Sequence, residues 1–502
     1  MNNATTIVIV LCVYLAFNFC FGLWVSRRHA KIDRAKGKGF INNYFIGGRT
    51  MGGFVLAMTL IATFISSSSF VGGPGVASSR GLVWVFLSMI QVPTAVLILG
   101  VLGKKFAIIS RKINAVTVTG YLKARYDSPA VVIISSIALV VFFMVQMVAQ
   151  FIGGAVLFQT VTGMPFAAGL LLFSLVVILY TTIGGFKAVV ITDTIQAVVM
   201  VVGAILIIAT IFINVGGSEA MVEKLNTINP TWSSPTQGGK APVPFVLSFW
   251  VLVGFGVLGL PQTAVRGMGF KNTKSVHDAI IYGTIVCGFL MLVMHVSGAL
   301  IPAVMDTSGL KTTDYLIPEF VLRYMHPVIA GLFIAAPLSA IMSTVSSLLI
   351  LASAAIIKDI YLNYIAKDVK ATENNPAFEK KISRMSLLAT FIIGIIVVLF
   401  TLKPPSIIVW INLFAFGGLE CAFLCPILFG LYWKGANTTG AIVCPIVSVI
   451  AFIFMSIYPP KLGGFTPIVP SIILSIVVFV VASLLGKKSK PETLALFFSD
   501  KT

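Results

Sequence analysis

The chain has 502 residues, 58% of them hydrophobic and only 10% charged, with a mean hydropathy of +1.02. That is far more apolar surface than a soluble core could hide, so the composition excludes a soluble globular protein and leaves a polytopic membrane protein. A formal net charge of +19 invites a polyanionic partner such as nucleic acid, but the placement of the charges decides otherwise.

Segments of the ~20 apolar residues that cross a bilayer recur along the whole length. Thirteen spans are predicted, near 6–25, 51–74, 82–103, 130–158, 165–183, 189–214, 244–266, 279–303, 328–357, 385–402, 406–432, 439–458 and 466–486. The loops between them are short, so residues 1–502 are expected to form a single all-α transmembrane domain. MNNATT carries no basic residue and no Ala-x-Ala pattern follows the first apolar run, so that run reads as an uncleaved helix. With the N-terminus outside, 28 of the 35 lysines and arginines lie on the cytoplasmic side, Arg266 counted among them, against 7 outside. This is the positive-inside pattern of a multi-pass protein, so the charge reports orientation and no nucleic-acid partner is expected. The C-terminus is then cytoplasmic.

Between the spans, 104–129 reads as amphipathic and interfacial. Residues 215–243 form a polar external loop with a short helix at 218–226, and 366–384 is charged and cytoplasmic. The polar tail from Lys487 is expected to be mobile. Cys12, Cys20, Cys287, Cys421, Cys425 and Cys444 all fall within spans and read as small buried apolar residues, not as disulfides or metal ligands.

Two spans are interrupted by helix breakers. The second reads LIATFISSSSFVGGPG; the seventh, five spans later and in the opposite orientation, reads WVLVGFGVLGLPQTAVRG. Paired broken spans in two halves point to an inverted-repeat transporter with its site near the midplane.

Few ionisable groups lie at membrane depth, and each needs a partner. Asp193, in AVVITDTIQAVVM, should face protein, water or an ion. His295 reads most simply as a hydrogen-bonded packing residue, and Glu420 poses the same question with Asn412 nearby. In the ninth span Ser343, Ser346 and Ser347 share one helical face, with Thr344 beside them. Hydroxyls and unwound carbonyls suit a hard cation such as sodium, by the oxygen preference that governs calcium, with little fixed charge. No catalytic constellation appears: the histidines are scattered and the glycine-rich stretches lack phosphate-loop context. Neither an enzyme nor a channel is expected, and the segment after Leu485 is too short for a sensor's output domain.

YFIGGRTMGG (44–53), FVGGPGVA (70–77), NAVTVTGYLKARY (114–126), TTIGGFKAVVITDTIQA (181–197), GLPQTAVRG (259–267), AIMSTVSS (340–347) and INLFAFGGLE (411–420) resemble the sodium/solute symporter family. FVGGPG, QFIGGA (150–155) and KPPSIIVWINLFAFGGLE (403–420) resemble its pantothenate branch. The resemblance implies a LeuT-like core of five plus five helices within 44–434, with repeats at about 51–214 and 244–432. An extra helix and loop (1–43) would precede the core, and two helices (435–486) and a cytoplasmic tail (487–502) would follow it.

The resemblance further implies sodium-coupled uptake by alternating access across the cell inner membrane, by a protein that functions as a monomer. Sodium would be bound by the carbonyls of Ala62, Ile65 and Ala340 and the hydroxyls of Ser343 and Thr344. A second sodium would lie at Asp193, Ser343, Ser346 and Ser347. Substrate would meet the break at Ser66, Ser67, Ser68 and Ser69, whose N–H groups and hydroxyls suit a carboxylate. Either Ser66 and Ser69 or the other two would face it. Gln91, Gln146, Gln150 and Asn412 would take the uncharged polar groups. Proline-transporting relatives carry an aspartate where this chain has Phe64, so their substrate site is not copied. The alternatives within the class are a monocarboxylate, proline or a sialic acid.

Overall fold

The computed structural model describes residues 3–35, 50–366 and 376–498. Residues 36–49 of the basic loop, 367–375 of the charged stretch and the last four residues of the tail lie outside the described residues.

Helices account for nearly all of the described chain. The long ones are α1 (Asn3–Ala35), α4 (Pro129–Thr162), α5 (Phe166–Asn214), α8 (Thr273–Leu300), α9 (Pro327–Ala354), α10 (Pro376–Thr401), α11 (Ile408–Tyr432), α12 (Thr438–Ile457) and α13 (Ile468–Leu485). Shorter pieces complete the broken spans: α2 (Gly53–Phe64) with α3 (Gly73–Arg80), and α6 (Val243–Phe249) with α7 (Pro261–Gly267). Several starts are fixed by side-chain caps, as where Asn272 Oδ1 accepts from Ser275 N–H at 2.9 Å and replaces a bond that the first turn cannot make internally.

Among the described residues ten helices are long and apolar enough to cross a membrane, or twelve if each bent pair is one span. The remaining predicted span, the fifth at 165–183, corresponds to the shorter apolar stretch Phe166–Thr182. It joins the next span in the unbroken hydrogen-bond ladder of α5. That helix is not straight: the Tyr180 and Thr192 hydroxyls hydrogen-bond each other, and twelve residues of straight helix would hold them about 18 Å apart. The helix is therefore bent between Tyr180 and Thr192.

The two breaks fall where the sequence places them. After α2, Ile65 is extended (φ −70, ψ 126), a wide π turn follows at Ser68–Gly72, and the halves meet at 70°. In the seventh span, Trp250–Gly254 is a π turn, Phe255–Gly259 is 3-10 and Leu260 is extended (φ −91, ψ 106), with a bend of 50°. Pro261 explains Leu260, because the residue before proline is pushed out of the helical region.

α9 is almost wholly buried and runs through the middle of the molecule against α1, α2, α4 and α5. Residues such as Val13, Ile137, Leu171, Ile285 and Phe454 are exposed on the outer helices, as lipid contact demands. The stretch 104–129 folds as two short helices, Lys104–Lys112 and Val118–Tyr126. The second carries Arg125, which is fully buried and donates to the carbonyls of Gly430, Trp433 and Ala436 and to Ser489 Oγ.

The tail departs from expectation. Through Phe498 it is docked rather than mobile, forming a short helix, α14 (Pro491–Phe498), with Phe497 buried against Tyr121 and Lys490 paired with Asp127 at 2.6 Å. Its apolar residues, Leu494, Leu496, Phe497 and Phe498, outweigh the lysines that suggest a solvated tail.

Candidate functional site

The break after α2 lies against the middle of α9, and the five oxygens expected of the first sodium site converge there. Ser343 Oγ is 2.7 Å from the Ala62 carbonyl and 3.2 Å from that of Ala340. Thr344 Oγ1 is 3.2 Å from the Ile65 carbonyl and 2.9 Å from that of Ala340. Ending α2 at Phe64 frees the Ala62 and Ile65 carbonyls from the helical ladder, and the serine and threonine of the next helix take them up. The cluster is buried and holds no charged side chain. Three carbonyls and two hydroxyls are the uncharged oxygen donors that a small hard cation prefers.

A cavity of roughly 30 Å³ opens directly beside this cluster, about the volume of one water. Its wall includes Phe64, Ser66, Ser68, Ser69, Trp84, Ser88, Gln91, Phe249, His295, Asn412 and Phe416. Trp84 packs edge-on to Phe249 and Trp410 at 5.4 and 5.6 Å, on the side that carries residues 215–243. Among the described residues that line it, none is an acid, a lysine or an arginine.

The break divides its serines three to one. Ser66, Ser68 and Ser69 line the cavity, while Ser67 turns toward α4, donating its N–H to Gln150 Oε1 at 2.9 Å and its hydroxyl to the Ala149 carbonyl at 3.1 Å. Gly153 permits this approach, since a Cβ there would stand 2.7 Å from that of Ser67. The amides expected to meet a carboxylate are engaged: Ser68 N–H with Ser66 Oγ, and Ser69 and Phe70 N–H with the Ser66 carbonyl. The hydroxyls, not the amides, face the cavity.

The four candidate amide side chains separate as well. Gln91 and Asn412 line the cavity, and Asn412 Oδ1 has no partner there. Gln146 and Gln150 do not; Gln150 holds the first break and Gln146 accepts from Gln262 of α7 at 3.3 Å. His295, read from sequence as packing, joins the wall. Its Nδ1 bonds the Met291 carbonyl at 2.8 Å and its Nε2 lies against Gly73 of the break. Its position one helix away from FVGGPG carried no sequence signal.

Of the four residues expected at a second sodium, two, Asp193 and Ser347, contact a cation already present, the guanidinium of Arg266 on α7. Arg266 Nη2 is 3.3 Å from Asp193 Oδ2 and 2.8 Å from Thr63 Oγ1, and it also bonds Ser347 Oγ. Thr59 donates to the same Asp193 oxygen at 2.9 Å. Both charged residues are fully buried. Ser346 Oγ donates to the Ser343 carbonyl at 3.1 Å instead of joining the pair. The network ties α2, α5, α7 and α9 together one turn from the first cation cluster. Still nearer that end of the molecule, Met51 and Phe270 form a parallel bridge through Met51 N–H to Gly269 O (3.2 Å) and Lys271 N–H to Met51 O (2.9 Å).

The family profile of sodium:solute symporters matches residues 44–448. The chain belongs to the sodium:solute symporter family. It is 44% identical to the sodium/pantothenate symporter of Haemophilus influenzae over 97% of this chain and 98% of that one. It is likewise 44% identical to the sodium/pantothenate symporter of Escherichia coli K12 over 98% of each. Among solved structures, a Na+-coupled sialic acid symporter in a substrate-bound outward-open state superposes with a TM-score of 0.78, at 20% identity, covering 97% of this chain and 99% of that one. The fold of this symporter is therefore the five-plus-five inverted repeat, with the two bent spans opening its halves, and the protein crosses the membrane many times.

Proposed function

We propose that this symporter imports pantothenate with sodium by alternating access, across the cell inner membrane. The observation that carries the reading is the uncharged five-oxygen cluster of Ala62, Ile65, Ala340, Ser343 and Thr344, which abuts a cavity with no cationic side chain in its described wall. The 44% identity to the two sodium/pantothenate symporters supports the substrate.

The arrangement gives coupling a physical cause. A carboxylate brought to Ser66, Ser68 and Ser69 enters a site with no basic residue, where an unpaired anion costs several kcal/mol. Sodium at the neighbouring carbonyls supplies the missing charge, and the anion in turn offsets the cost of dehydrating sodium. Each therefore binds well only with the other. Gln91, Asn412, Ser88 and His295 are placed to bond the amide and hydroxyls of pantothenate, while Gln146 and Gln150 hold the broken helices in shape.

One sodium per pantothenate follows from Arg266. Its guanidinium neutralises Asp193 and engages Ser347, so the place of a second sodium is held by a tethered cation. The same reading divides the chain into a core at 44–434 with one helix before it and two after. The side bearing 215–243 faces outward and that bearing 104–129 faces the cytoplasm. The relatives are sodium/pantothenate symporters, which supports a protein that moves its substrate unchanged.

Uptake of labelled pantothenate into proteoliposomes should require a sodium gradient, and unlabelled pantothenate should compete where proline, sialic acid and simple monocarboxylates do not. Competition by one of those acids, with none by pantothenate, would replace the substrate while keeping the ion.

A further inference from the structure

We propose that Glu420 is a proton-binding site, protonated while the second broken span is closed over it and ionised when that span opens. Glu420 lies in the middle of α11, fully buried, and neither carboxyl oxygen has a hydrogen-bond partner. Among the described residues it makes no ion pair. A carboxylate stripped of water with neither donor nor cation is strongly disfavoured; bound as the neutral acid, it meets that cost with a proton.

Its surroundings tie the proton to a moving part. The carboxyl head fills the space beside Gly256, where a Cβ would stand 2.5 Å from Oε2, and a Cβ on Gly259 would stand 3.0 Å from the Glu420 Cα. The Val251 carbonyl lies 2.5 Å from that same Cβ position, so carboxyl and carbonyl are within about 5 Å of each other and a neutral O–H has an acceptor at hand after a small shift. These residues are the irregular stretch of the seventh span, where the helix passes from π turn to 3-10 to extended backbone within Trp250–Leu260. A stretch with so few regular helical bonds is where a bend changes most easily, and any opening here admits water to Glu420.

Other titratable groups do not account for the site. The ionisable side chain beside Glu420 is the Cys421 thiol of its own helix, with Cys425 a turn further and Cys444 of α12 behind it. The seventh span turns Gly256 and Gly259 toward it, and α4 sends Phe142 against neighbouring Gly418. The Arg266–Asp193 pair is satisfied within its own network.

Glu420→Gln keeps the shape of the neutral acid and removes the titration. Sodium-driven pantothenate uptake by the native protein should fall at alkaline pH, by at most about tenfold per pH unit, the limit for one group. Uptake by the Gln variant should stay level over that range and match the native rate at acid pH. Infrared difference spectra of the purified protein, native minus variant, should contain a carboxylic-acid C=O band, a readout that needs neither substrate nor sodium. Parallel pH profiles of the two proteins would overturn the proposal, as would a variant that is folded but inactive at every pH, or the absence of that band. The infrared arm separates its failure from an error in the substrate assignment.

Discussion

Ser67 and Ser68 are neighbours in sequence with opposite duties: one anchors the break to α4 and the other faces the cavity. Such a division depends on the dihedral angles of two or three residues, and four identical letters cannot show it. The five oxygens of the first cation cluster came from the family resemblance, matched position by position, while the sequence by itself showed a break in one span and the neighbouring hydroxyls of Ser343 and Thr344 in another. The role of Arg266 was not legible in it. It stands 73 residues from Asp193 at the end of a span, where an arginine ordinarily marks the cytoplasmic boundary.

Two experiments belong to this scale. Ser343→Ala and Thr344→Ala each remove one oxygen from sodium, so half-saturating sodium should rise about tenfold, roughly 1.4 kcal/mol, with the maximal rate at saturating sodium much less affected. Arg266→Gln should turn a hyperbolic sodium dependence sigmoidal as the freed oxygens admit a second ion; a hyperbola in both proteins would remove the tethered-cation reading. Breaking a buried pair is itself destabilising by about 3–5 kcal/mol, so Arg266→Gln combined with Asp193→Asn should recover thermal stability without recovering the sigmoid.

At the scale of elements, broken helices were predictable because proline and glycine act locally, whereas the docked tail was not, since Phe497 finds its partners more than 370 residues earlier. The guanidinium of Arg125 sits where α11 ends, the favourable pole for a cation, and binds the Gly430 carbonyl of its last turn together with the Trp433 and Ala436 carbonyls of the loop that follows. Truncation after Gly486 removes Ser489 and α14 from this arginine, so it should lower the melting temperature in detergent by several degrees while Arg125→Ala lowers it further.

Asp314, in the loop between α8 and α9, offers a titration at the other face. Burial pushes its carboxyl up to about 6, against the opposing hydrogen bond from Ile408 N–H at the start of α11. Because the folded protein holds this proton more tightly than the unfolded chain, the contribution to stability is complete below about pH 4 and is lost as pH rises through about 6. Asp314→Asn should therefore match the native melting temperature at pH 4 and exceed it at pH 7; equal values at both would mean that the carboxyl is solvated.

For the whole molecule the decisive quantity is charge moved per cycle. Carrying one anion into a negative interior costs about 2.3 kcal/mol per 100 mV, and one sodium cancels it. An imposed potassium diffusion potential, negative inside, should leave the initial rate of uptake unchanged, and a marked acceleration would require a second sodium. The overall architecture was legible from span counting and the paired breaks. The size of the cavity was not, because it depends on how aromatic residues from three separate spans, Trp84, Phe249 and Phe416, close on one another. At roughly 30 Å³ it is far smaller than pantothenate, so these walls must part on one side for loading and the opposite side must part for release.

The bridge between Met51 and Phe270 gives that release a natural clock. Its two backbone hydrogen bonds join the start of the first repeat to the end of the broken span in the second. The donors, Met51 and Lys271, can exchange their amide hydrogens with deuterium only while this clasp is undone. Exchange at these two sites therefore counts the moments at which the two repeats part at this end of the molecule, and saturating sodium with pantothenate should change its rate.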